Sequence, residues 1–213
     1  MNWLAHVVLA GADAADQVGG VAADLVTAAQ ARALPADVRR GIALHHAVDG
    51  FTDTHPVVGR SCQRLYRAGV GLPAAAAGVA VDMLYDHLLA RRWPRDAPPE
   101  SAGVTLAAFA ARFYAVARPF AAGLPDGARL AFAKMSEEDW FTSYRELALV
   151  RGALVRIRAR LSPRAAAACP LERAADVFAE RTGEFEEDFA LFWPELARHA
   201  ETRRRELHAA VPG

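Results

Sequence analysis

The chain has 213 residues, of which 53% are hydrophobic, and its 25 basic side chains balance its 25 acidic ones. That composition supports one buried core and excludes wholesale disorder, while a formal net charge of zero argues against a general nucleic-acid binder, which would carry a basic excess. Two cysteines exclude a disulfide scaffold. The charged residues are nevertheless segregated. Lys134 is the only lysine, all 12 Glu lie at Glu100 or beyond, and His6, His45, His46, His55 and His87 all fall in the first 87 residues. Imidazoles and short carboxylates are thus gathered in one end of the chain.

Taken in chain order, the sequence predicts helices and no period-2 strand. Met1 to Ala10 is apolar, but His6 interrupts it, no basic stretch precedes it, and Asp13 and Asp16 follow; it is not a secretory signal. Asn2 is expected to cap this short helix. A second segment runs from about Asp13 to Ala31, with a bend expected at Gly19-Gly20. Pro35 opens a helix from Ala36 to Thr52, and His55-Pro56 punctuates the chain before a helix over Val57 to Ala68. Gly69-Val70-Gly71 stops that helix, and Pro73 starts another that reaches about Trp93. Arg91 to Glu100, with Pro94, Pro98 and Pro99, reads as a loop. Later helices are expected over Ala102 to Ala117, Ser136 to Leu161 and Leu171 to Glu206, with Ser136-Glu137-Glu138-Asp139 as an N-terminal capping signal. No uncharged apolar stretch of about 18 residues spans a membrane. The expectation is a cytoplasmic, all-α protein, a single-domain helical bundle over residues 1–213.

The chemistry-bearing residues cluster before residue 90. In Gly41 to Asp53, His45, His46, Asp49 and Asp53 fall within about a 100° sector of a helix, and His45 and Asp49 are an i,i+4 pair. In Val81 to Leu89, Asp82 and Asp86 are again i,i+4, and His87 follows Asp86 in strongly apolar surroundings. Buried unpaired, such groups cost several kcal/mol, so they need partners, and a divalent cation is an economical one. His6 and Asp24 are lone polar residues in apolar runs. Mixed Asp and His donors without Cys suit Mn²⁺, Mg²⁺ or Fe better than structural zinc. There is no Gly-rich phosphate loop, His-Glu-x-x-His, Cys-x-x-Cys or Gly-x-Ser-x-Gly. Cys62, between Arg60 and Arg64, is expected to be a core or surface cysteine, although those charges could lower its pKa.

Several of these stretches together resemble the acyl carrier protein phosphodiesterase family: Met1-Asn2-Trp3-Leu4-Ala5-His6, Gly20 to Asp24, Gly41 to Asp53 with Thr54-His55-Pro56, and Asp82 to Leu88. The likeness continues at Trp140 to Arg145 and Phe192 to Leu196. The resemblance implies a helical fold distantly related to His-Asp metal-dependent phosphohydrolases. It also implies Mn²⁺-dependent hydrolysis of the phosphodiester that joins 4'-phosphopantetheine to a serine of holo-acyl carrier protein. The family usually shows His-Arg where this chain has His45-His46. On this basis His6, Asp24, Asp86 and His87 are expected to form the nearest metal shell. His45 and Asp49 come next, as ligands of the same or a second ion or as a base and its orienter. Asp24, His45 and Asp49 are the expected catalytic set, while Asp82, Asp53 and His46 hold the inner groups in position. The same chemistry on a nucleotide or another phosphodiester, and a non-catalytic helical binding protein, are the alternatives. No nucleic-acid or membrane partner is expected.

An acyl carrier protein is strongly acidic, so a basic docking face is expected despite the neutral sum. Arg60, Arg64 and Arg67 follow i, i+4, i+7 spacing close to the His/Asp motifs. A second stripe comprises Arg151, Arg156, Arg158, Arg160 and Arg164.

Overall fold

Helix after helix follows from the alternation of apolar stripes with proline and glycine stops. In the computed structural model, which describes residues 1–97 and 101–210, the described residues contain helices and no strand. Helix α1 (Trp3–Leu9) leads to α2 (Ala14–Ala22), α3 (Ala28–Ala33), α4 (Ala36–Thr54), α5 (Pro56–Arg67) and α6 (Ala74–Arg91). After these come α7 (Trp93–Asp96), α8 (Leu106–Ala121), α9 (Asp126–Glu137), α10 (Trp140–Ser143), α11 (Leu147–Arg158) and α12 (Pro163–Ala167). A 3₁₀ turn at Leu171–Arg173 precedes α13 (Ala174–Glu180) and the long α14 (Thr182–Ala210). No helix among the described residues is long and apolar enough to cross a membrane.

Helix α6 is central. From Val81 to Ala90 every residue except Asp82 is buried, as expected of a helix that is apolar almost all round. It packs against α1, α5, α11 and α13, while α4 packs against α2 and α14. Phe185, Phe189 and Phe192 of α14 are fully buried and join Leu4, Leu84 and Leu88 in one core.

Gly19 and Gly20 do not bend the chain; they lie inside α2. The reason is packing. A Cβ on Gly19 would lie 2.3 Å from the Val38 carbonyl oxygen, and one on Gly41 would lie 2.4 Å from that of Asp16. The two backbones therefore touch where α2 crosses α4. Gly19→Ala is expected to cost about 1–3 kcal/mol, because neither backbone can yield locally. Thermal unfolding of the variant should show a melting temperature several degrees lower.

Other boundaries also move. The helix expected to Ala31 stops at Ala22, and Thr27 with Gln30 forms a capping box that starts α3. Ser136 and Glu137 close α9 rather than opening a helix. The chain turns at Asp139, whose φ is +44°, and the Asp139 side chain caps α10 by accepting from Thr142 N. The single helix expected from Ser136 to Leu161 is thus three. The one expected from Leu171 is broken by the 3₁₀ turn and at Arg181. Within the expected loop, residues 93–96 form a helical turn; Pro98 to Glu100 lie outside the described residues.

Candidate active site

Asp86 builds the site from below. Its carboxylate accepts from Leu4 N at 2.8 Å and Ala5 N at 3.2 Å, so α6 caps the N-terminus of α1, where a negative charge is favoured. The Asn2 side chain makes no cap bond; instead Asn2 Nδ2 donates to Tyr144 Oη and Met83 Sδ, each at 2.9 Å. Burial pushes the Asp86 carboxyl up to about 7, while the two amide bonds and the Met1 ammonium work the other way. The carboxylate is therefore engaged by backbone donors and fixes where α1, and hence His6, can sit.

His6 and His45 then stack, with ring centroids 3.8 Å apart. Both are buried, at 2% and 3% exposure. His6 Nε2 lies 3.2 Å from Asp49 Oδ1 and His45 Nε2 lies 2.9 Å from Asp49 Oδ2. One carboxylate thus spans two imidazoles that the sequence separates by 39 positions. His45 Nδ1 lies 2.7 Å from the Gly20 carbonyl oxygen. Donating there from Nδ1 fixes the ring and leaves Nε2 facing the carboxylates, the orientation a metal-binding imidazole uses. Asp24, just beyond α2, lies 3.4 Å from His45 Nε2 and accepts from Trp3 Nε1 at 2.9 Å. The Met1 amino group lies 3.3 Å from Asp49 and 3.0 Å from Asp82, so these carboxylates already bear a cation.

The electrostatics are those of a concentrated charge network. Burial opposes charge on His45, but its bonds to Asp24 and Asp49 outweigh burial and push it up to about 9. Burial, with the neighbouring His45 and ammonium charges, pushes His6 down to about 4 despite Asp49. Burial also disfavours charge on Asp49, yet its bonds to His45 and His6 hold it well below the usual carboxylate range. Asp82 is pushed up by burial, partly offset by the Met1 ammonium.

The structure brings His6, Asp24, His45, Asp49 and Asp82 together. It does not gather His87 with them. That ring faces the Tyr144 carbonyl oxygen through Nδ1 at 2.7 Å and meets Phe178 edge-on, with Nε2 buried and without a hydrogen-bond partner among the described residues. His46 is exposed, edge-on to His45 at 5.5 Å, and Asp53 is exposed. Asp86→Asn keeps one acceptor for α1 but turns an N–H towards the other amide. It is expected to weaken divalent-cation binding about tenfold by shifting α1 and His6, checked by calorimetric titration; an inner ligand would lose far more.

Cys62 does not gain reactivity from its arginine neighbours, since burial and then the Asp82 and Asp53 charges push its thiol up to about 11. Arg60 and Arg64 are both committed to Asp188 of α14, and Arg64 also bonds Glu184 at 2.7 Å. Of the expected patch, Arg67 is exposed and has no ion pair among the described residues.

A groove of about 460 Å³ opens from the carboxylates. Asp24, Asp49 and Asp82 line it together with Asn2, Tyr144, Leu149, Ala153 and Ile157. Trp3 and Trp140 stack on its wall at 5.4 Å. Lys134, Arg156 and Arg160 also line it, all exposed and none ion-paired among the described residues. Sequence spacing could not assign the α9 to α11 contribution, because no local period links residues 134–160 to residues 1–82.

Three donor groups, His6, His45 and Asp49, place ligand atoms within 4.8 Å of one another. Mixed nitrogen and carboxylate donors with a further carboxylate on either side fit a divalent cation. An all-α scaffold carrying such a cluster at the head of an open groove has the makings of a metal-assisted hydrolase. The family model described as acyl carrier protein phosphodiesterase matches residues 1–196. The chain belongs to that family, whose members are hydrolases of a phosphodiester bond. A Photorhabdus laumondii protein named acyl carrier protein phosphodiesterase is 28% identical over 203 residues, covering 95% of this chain and 96% of that one. One of the same name from Yersinia pestis is 27% identical, covering 96% of this chain and all of that one. A Salmonella dublin relative, again so named, is 32% identical over 158 residues, covering 72% of this chain and 76% of that one. No solved structure matches this chain.

Proposed function

We propose that this chain hydrolyses the phosphodiester between 4'-phosphopantetheine and the serine of holo-acyl carrier protein, releasing the apo-carrier. His6, His45 and Asp49 hold a divalent cation, Mn²⁺ by preference. The observation that carries the reading is the convergence of two buried imidazoles on Asp49 at the mouth of the groove. A bound cation supplies a water of lowered pKa and neutralises charge on the phosphate oxygens. Gly20 orients His45, and Asp86 orients His6 by holding α1. Asp24, exposed beside His45, accepts the proton of the attacking water. Asp82 faces the same groove and holds the positive charge opposite. In this reading Asp86 and His87 support the site from behind rather than bind the ion.

Carrier docking is assigned to Lys134, Arg156 and Arg160, because they border the groove and carry no internal ion pair among the described residues. Arg60 and Arg64 are already paired with Asp188 and Glu184. The double variant Arg156→Glu/Arg160→Glu is expected to raise KM for the carrier about tenfold at low ionic strength. The effect should shrink towards 0.5 M salt, because exposed charges are screened over a few ångströms there. Steady-state kinetics at two salt concentrations checks this.

The experiment that tests the function itself incubates holo-acyl carrier protein with the chain and Mn²⁺ and follows the carrier by intact-mass spectrometry. Conversion to the apo mass is expected. An unchanged carrier, with turnover of a small diester such as bis(p-nitrophenyl) phosphate, would instead mean a different phosphodiester substrate.

A further inference from the structure

The groove has features that neither cation chemistry nor docking uses. Leu149 and Val79, which line it, are 52% and 43% exposed. Large aliphatic side chains are thus left open beside a charged cluster, a pattern that marks a binding surface when the patch is continuous. Leu149, Ala153 and Ile157 form an apolar wall along α11, and Val79 adds to it from α6. Polar groups flank it, among them Asn2 and Tyr144. Tyr144 Oη accepts from Asn2, and among the described residues its own O–H has no acceptor. Burial and then the Asp86 charge push the phenol pKa up, so it remains a donor at any working pH.

Size restricts the occupant. The groove measures about 460 Å³. It lies within the range of small-molecule sites, which are mostly apolar with a few placed polar groups. The groove is also continuous with the carboxylates at which the diester would be cleaved. One arm of that diester must therefore enter while the other stays outside with the protein that carries it.

We propose that this groove is the subsite for the pantetheine arm, laid along the Leu149, Ala153 and Ile157 wall of α11 with the Tyr144 O–H donating to one of its carbonyl oxygens. The carrier's folded body then rests outside against Arg156 and Arg160. This assignment rests on the reading that the chain acts on holo-acyl carrier protein. It makes Tyr144 and the α11 wall specificity-determining residues, because they recognise an amide-containing, branched aliphatic arm and not the phosphodiester.

The probe is free pantetheine, which lacks phosphate and cannot report on the cation cluster. Its binding to the full chain is read by quenching of tryptophan fluorescence, since Trp3 and Trp140 line the groove. Binding by the wild type is expected, with loss of at least tenfold in affinity in Ala153→Trp and about threefold in Tyr144→Phe. In kinetics, the preference for holo-carrier over bis(p-nitrophenyl) phosphate, measured as a ratio of kcat/KM, should fall at least tenfold in Ala153→Trp. Ile157→Trp serves in its place should Ala153→Trp fail to fold by circular dichroism. Wild type that releases phosphopantetheine from the carrier while both variants keep its preference would overturn the subsite and leave the function standing. Wild type inert towards holo-carrier would overturn the functional reading and the subsite with it.

Discussion

Asp49→Asn is expected to lower kcat/KM for the carrier by about a thousandfold or more, the equivalent of several kcal/mol of transition-state stabilisation from a bound cation. The size of the effect follows from geometry. Both oxygens of Asp49 are in use, one towards His6 and the Met1 amino group, the other towards His45. An amide in its place offers one acceptor and one N–H, so at least one of the two imidazoles faces a donor where it faced an anion. Cation affinity and ring orientation are lost together. The fold is retained, because Asp49 is partly exposed and α4 is held mainly by Gly19 and Gly41 against α2 and by α14. Kinetics with circular dichroism on the same sample separates the two effects.

Asp188→Ala acts through stability. Asp188 is 1% exposed and accepts from Arg60, Arg64 and the Ser61 hydroxyl, the last at 2.8 Å. Ser61 in turn pairs with Tyr85 Oη at 2.9 Å, so the network reaches the centre of α6. Removing the carboxylate leaves Arg60 without its counter-charge and Arg64 with only the more exposed Glu184. Breaking a buried pair in this way costs about 3–5 kcal/mol; because Arg60 is half exposed, the lower end applies, roughly 3 kcal/mol. For a chain of this length that corresponds to a fall of roughly 6–12 °C in melting temperature. Differential scanning calorimetry checks it, with activity below the melting point expected to persist. Charge reversal at Arg60 and Arg64 is accordingly a stability experiment, since their charges are spent joining α5 to α14.

The cluster was legible to the extent that local spacing made it so. His45 and Asp49 form a one-turn pair on α4, and the pairing seen in the sequence is the pairing seen in space. His6 and Asp24 stood out as polar residues in apolar runs, and both reach the same cluster. Asp86 and His87 stood out in the same way, but a buried polar residue needs only a partner, and the sequence does not say which. Asp86 found the free amides at the start of α1, and His87 found a backbone carbonyl. Helix content was equally legible. The boundaries failed where tertiary contact overrode local preference. Gly19 and Gly20 signal a bend by propensity but serve a close helix crossing. The chain turns instead at Asp139, a non-glycine residue at positive φ that no turn signal announced. The groove was invisible because it joins α1, α4 and α6 to α9 through α11, contacts with no trace in local periodicity.

The most direct test of the central claim is Mn²⁺ binding measured by electron paramagnetic resonance on the wild type and five single variants. His6→Gln, His45→Gln and Asp49→Asn are expected to lose Mn²⁺ binding, while Asp86→Asn weakens it only about tenfold and His87→Gln leaves it within about threefold. Loss of binding in the Asp86 and His87 variants with retention in the other three would contradict the assignment of His6, His45 and Asp49.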